Sequence, residues 1–204
     1  VVLRELDPIA EDNHGTGTVQ VFDSSELYGD LVLREVDELE NEHWLSSVDR
    51  VVYDLAHDDP NLLQYSPEDE WHWTAEDWQF SIAMGFHHLQ NHERFVAGFL
   101  APDWFPEMTD PEIAFVNIDE DTFADESFRF RAGHAYIRDD FGNWEHNYFF
   151  GVGGPISPGV AMANFAHDAE VWAHEQGHAI TSELTPFNDT DMRGIEEQFQ
   201  AIHE

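Results

Sequence analysis

The chain has 204 residues, 42% hydrophobic and 14% aromatic, which is enough apolar surface to build one core and too much for a disordered chain. Its charge is lopsided, with 43 Asp and Glu against 8 basic residues, every one of them Arg, for a net charge of −35. That excludes a nucleic-acid or anionic-lipid binder, which needs a basic face, and describes a halophilic protein whose self-repulsion is screened by molar salt.

Residues 16–22 alternate and predict a short strand. From Asp23, with Glu26 at the capping-box position, Leu27, Leu31, Val32, Leu39, Leu45, Val48, Val52 and Leu55 recur at spacings of three and four, predicting a long helix that stops before Asp59-Pro60. Ser66-Pro67-Glu68 carries the signature of a second helix start, and the pattern then runs through Trp78, Ile82, Phe86, Leu89 and Phe95 to about Leu100. Residues 102–111 hold three Pro and read as a loop. Strands follow over residues 113–118, 127–138 and 144–152, the last two joined as a hairpin. Ser157-Pro158 opens a third helix through Val171, Trp172 and Ile180 to about Leu184, and Asp189 or Thr190 caps a last helix running to the end. The order predicts an α+β fold in which a small antiparallel sheet packs on long helices. Residues 1–65 form an N-terminal extension with one long helix, and residues 66–204 form the main domain.

The chain has no Cys, so any metal must be held by His, Asp or Glu. The third helix reads His174-Glu175-Gln176-Gly177-His178. Two His four apart stack on one helix face, where both imidazoles can share a tetrahedral Zn2+, and the intervening Glu can polarise a water in the open position. The positions around them (Gln176, Gly177, Ala179, Ile180) are uncharged in a chain where a quarter of residues are charged. A third ligand is required. Eighteen residues separate His178 from Glu197, which lies on the last predicted helix beyond a turn rich in Pro, Asn and Asp.

This constellation resembles the gluzincin branch of the zinc metallopeptidases, in which His-Glu-x-x-His is followed after a similar interval by a zinc-ligating Glu. In the aminopeptidase-like members that Glu sits in an Asn-Glu-Gly-Phe-Ala type segment; here Glu196-Glu197-Gln198-Phe199-Gln200 keeps the Glu and Phe but not the Asn and Gly. The resemblance covers about two thirds of the chain and none of its first 65 residues. It implies a zincin-like fold with an active-site helix and a glutamate helix, zinc on His174, His178 and Glu197, and Glu175 as general base for peptide-bond hydrolysis. Glu196 is one residue away and could exchange roles with Glu197. The oxyanion group that larger gluzincins place beyond the glutamate helix has His203, Tyr148 and His146 as candidates, and residues 148–151 are the candidate edge strand for a peptide substrate.

Other readings compete. A ferritin-like di-metal bundle would use the Glu-x-x-His pairs Glu11-His14, Glu40-His43 and Glu175-His178. A structural or assembly protein of a halophilic cell or virion would bury its seven Trp and sixteen Phe at homo- or hetero-oligomeric interfaces. His87, His88, His92 and Glu93 read as a surface cluster, His167 as a surface or supporting residue two turns before His174, and Gly151-Val152-Gly153-Gly154 as a flexible loop. No run approaches the roughly 20 apolar residues of a membrane span. The partners expected are a peptide or protein substrate, with no nucleic acid and no membrane insertion.

Overall fold

The strand and helix signals in residues 15–184 resolve into two small sheets, a hairpin and two helices in a computed structural model that describes residues 15–22, 29–39, 43–47, 50–56, 65–99, 112–119, 126–138 and 144–184. The strands are β1 (Gly15–Phe22), β2 (Leu31–Leu39), β3 (Arg50–Asp54), β4 (Glu70–Trp71), β5 (Glu112–Ile118), β6 (Ala132–Arg138), β7 (Trp144–Gly151), β8 (Gly154–Ser157) and β9 (Val160–Met162). The helices are α1 (Phe80–Phe99) and α2 (Ala169–Leu184). The class is α+β, as expected. No helix among the described residues is long and apolar enough to cross a membrane.

One sheet has the order β2-β1-β4 and the other β3-β5-β7-β6, with β8-β9 as a separate hairpin. The second sheet is mixed, not antiparallel as expected: β3, β5 and β7 run parallel and only β6 opposes β7. Parallel neighbours require a crossover, and α1 supplies the one between β3 and β5. Both sheets draw strands from each side of residue 65, since β3 pairs with β5 and β1 pairs with β4.

Three sequence expectations need correction. The long helix from Asp23 is not formed; residues 31–39 and 50–54 are strands. A bulge sets Gly15 opposite Leu39 and Gly17 opposite Val36, both of them buried on β2, so the alternation of β2 is broken before Leu39 and its apolar spacing is not that of a plain strand. The helix expected from Ser66 begins only at Phe80. Ser66, Pro67 and Glu68 make a turn instead, in which Asp69 N–H donates to the Ser66 carbonyl and Asp69 adopts φ 56°. The third helix begins at Ala169, not Pro158: Pro158 and Gly159 (φ 78°) turn the β8-β9 hairpin, and Asp168 caps α2 by accepting from Glu170 N–H at 2.9 Å.

The core is aromatic. Trp172 on α2 is fully buried, with its ring 3.9 Å from that of Phe150, stacked on His88 at 5.5 Å, and its Nε1–H donating to the Ala166 carbonyl. α1 comes close enough for this because Gly85 has no side chain: a Cβ there would lie 3.1 Å from Val52 and 3.3 Å from Trp172. A polar network ties the start of α1 to the end of β5 and to the short 3-10 turn Phe165–His167. Ser81 Oγ donates to Asn117 Oδ1 (2.8 Å) and lies 2.9 Å from His167 Nε2, while Asn117 Nδ2 donates to Asp54 Oδ2 (2.7 Å).

Residues 151–154 are a tied junction, not the flexible loop expected. Arg129 Nε–H donates to the Gly153 carbonyl and Gly153 N–H to the Arg129 carbonyl. Gly153 has φ 70°, and a Cβ there would lie 2.1 Å from the Ala163 carbonyl oxygen. Gly153→Ala is therefore expected to destabilise the fold by about 2–3 kcal/mol, read as a lower urea midpoint with unchanged slope. An unshifted midpoint would show that the junction yields freely.

Candidate metal centre

Helix α2 carries the motif, and its cap and Trp172 anchor fix which face is buried. His174 is exposed, Glu175 is buried at 7% exposure, and His178 is half-buried. One turn apart, the imidazoles converge: His174 Nε2 and His178 Nε2 are 3.1 Å apart, with ring planes at 84°. Two zinc–nitrogen bonds of about 2.1 Å at a tetrahedral angle would set their nitrogens about 3.4 Å apart, so the pair fits one ion with a small adjustment. Among the described residues no group of three or more His, Asp or Glu side chains could hold a metal ion. Glu197, with Glu196, lies outside the described residues, as do the last predicted helix and His203.

Below α2, the sheet presents a polar face that sequence reasoning did not assemble. Register sets Glu112 opposite His146 and His146 opposite Tyr136, and likewise Ala114 opposite Tyr148 and Tyr148 opposite His134. Tyr148 O–H donates to Glu112 Oε1 at 2.7 Å, and His92 Nδ1 on α1 contacts the same oxygen at 2.7 Å. His134 Nε2 lies 3.0 Å from His146 Nδ1. Burial, followed by the fields of Glu112 and Glu175, raises the Tyr148 hydroxyl well above its ordinary pKa of 10.0, keeping it a neutral donor. Burial, followed by the imidazoles of His146, His178 and His92, lowers His134 to about 3. The electrostatic coupling of Glu175 to Tyr148 and of His178 to His134 joins the motif to this buried face. The period-two placement of His134 with Tyr136, and of His146 with Tyr148, was the available signal.

Several single-residue expectations change here. Tyr148 is fully buried with its hydroxyl on Glu112, and His146 is fully buried against His134, so neither is placed to meet a substrate oxyanion. Residues 148–151 cannot accept a peptide strand because β7 is paired on both sides; the edge beside α2 is β6, which packs against that helix. His87, His88 and His92 are buried, not a surface cluster, because α1 is covered on more than one face. His167 precedes α2 in the 3-10 turn, where it is buried on Ser81 and is not on the stripe of His174. Of the Glu-x-x-His pairs, Glu175-His178 lies on a helix; His43 is in a turn, and Glu11, His14 and Glu40 are outside the described residues.

No protein-family model matches the chain, and no curated protein matches it.

Proposed function

We propose that the chain is a zinc-dependent peptide hydrolase of the gluzincin kind with a zincin-like fold. The observation that carries the reading is the convergence of His174 Nε2 and His178 Nε2 at 3.1 Å, on the helix whose next face buries the Glu175 carboxylate. Glu197 is the proposed third ligand. Zinc bound there would supply Lewis acidity, making a nearby water acidic and polarising a substrate carbonyl. Glu175 takes the proton of the attacking water and returns it to the leaving amine. Among the described residues β6 ends the sheet and lies next to α2, and it is the strand that an extended peptide would join to run alongside the two His.

The test is zinc content per chain by mass spectrometry after dialysis in molar KCl. About one zinc per chain is expected, with affinity weakened at least about tenfold in Glu197→Ala and in His178→Ala. A parent chain without zinc would overturn the reading and leave a structural or assembly protein as its replacement.

A further inference from the structure

Strand β2 ends the first sheet among the described residues, with β1 on one side of it. Its register on β1 is regular from Leu31 to Val36, so its side chains alternate between the two faces. Val32 and Val36, opposite Val21 and Gly17, turn inward: Val36 is buried and Val32 packs on the core. Leu31 and Leu33 take the other face, where they are 37% and 56% exposed, and Arg34 and Glu35 are exposed beside them. Exposure on both faces at once is the mark of an edge strand. Natural sheets guard such edges with Lys, Pro or a bulge. Gly29-Asp30-Leu31-Val32-Leu33-Arg34 has neither Lys nor Pro, and the bulge lies beyond Val36. The charge of Arg34 disfavours a strand that brings no carboxylate to it, which narrows what can join here.

We propose that β2 pairs with β2 of a second copy of this chain, antiparallel about a two-fold axis through Val32. Such an axis lies normal to the sheet and brings like faces together, so the residues it opposes differ by an even number of positions. Centred on Val32, it sets Leu31 against the partner's Leu33 and Asp30 against the partner's Arg34, each pair occurring twice. Four exposed leucines then cover one another, and each Arg34 meets a carboxylate that the same strand supplies. Neighbouring registers fit less well: centring on Arg34 or on Glu35 opposes like charges, and centring on Leu33 sets Leu31 against the partner's Glu35. Molar salt screens the net −35 of each copy and leaves the backbone ladder and the leucine pairs in force. β2 carries no residue of the motif on α2, so the pairing stands whether or not that motif binds zinc.

The experiment is sedimentation equilibrium of the full chain in molar KCl over a range of concentrations. A reversible species of twice the 23.5 kDa chain is expected, with its dissociation constant raised at least about tenfold in Leu33→Glu. Asp30, Leu33 and Arg34 are exposed, so each single variant should keep the parent's thermal midpoint. Asp30→Arg and Arg34→Asp each oppose like charges in their own dimer and should weaken it likewise. An equal mixture of those two variants restores both ion pairs and should dimerise more tightly than either alone. The proposal is overturned if the parent is a monomer throughout, which leaves the edge to a strand of another protein, if Leu33→Glu dimerises as the parent does, or if the mixture gains nothing over its components.

Discussion

Glu175→Gln is expected to keep its zinc and to lose about 100-fold to 10,000-fold in kcat on peptide substrates. The substitution is nearly isosteric at a position only 7% exposed, and it leaves both imidazoles and the Trp172 anchor of α2 untouched. An amide cannot accept the water's proton, so the barrier rises while the metal ligands stay where they are. Zinc content and turnover, measured on the same preparation, separate the two roles. Full turnover with zinc in place would remove Glu175 from the chemistry. Loss of zinc along with turnover would mean that the carboxylate holds the site together instead of acting in it.

Acid is expected to unfold the protein in molar KCl well above the pH at which its carboxylates are fully protonated. His87 and His88 on α1, and His167 before α2, are buried as neutral rings; burial, the first cause for each, lowers them to about 4, 3 and 4 from 6.5. The sign follows from linkage. Above pH 6.5 neither state gains protons at these rings. Below it the unfolded chain takes up protons that the folded chain refuses, and stability falls until the pH reaches the folded values of about 3 to 4. Near pH 4.5 each ring costs about 2 kcal/mol, and three together are comparable with the whole stability of a typical domain. In dilute buffer, protonating carboxylates would relieve the repulsion of a −35 chain and oppose this trend, whereas molar salt has already screened that repulsion. Urea midpoints measured from pH 7 to pH 5 in molar KCl should therefore fall steadily, with a shallower slope in His88→Phe. A flat series would show that these rings are hydrated in solution.

Where a pattern had one explanation, it was legible. β1, β5 and β7 stand where alternation placed them, whereas the strand expected from Ser127 begins only at Ala132, because Glu126–Phe130 forms a 3-10 helix; α2 carries the motif at the spacing that made it recognisable. The failures share a cause, because the same residues serve two local structures. Ser-Pro and Pro-Gly start helices or make turns, and both Ser66-Pro67 and Ser157-Pro158 turned out to be turns. Leu31, Val32 and Leu39 fitted a helical spacing, yet all three lie on one strand, whose alternation a bulge interrupts before Leu39. At the site, His174, Glu175 and His178 were readable from one helix, since their proximity is built into its pitch. Glu112, His134, His146 and Tyr148 come together only through pairing across three strands, and no single segment encodes that register.

The crossover built by α1 also divides the second sheet by the cost of closing it. From Arg138 to Trp144 the chain returns at once, whereas from Asp54 to Glu112 the connection is about ten times longer, adding about 2 kcal/mol of closure entropy. The β6-β7 edge, where a substrate would lie, is thus the inexpensive half of the ladder. The β3 edge depends on Val52 and α1 gripping each other across Gly85. Loosening that grip frays the far side of the sheet first and leaves the strand beside the two His in register.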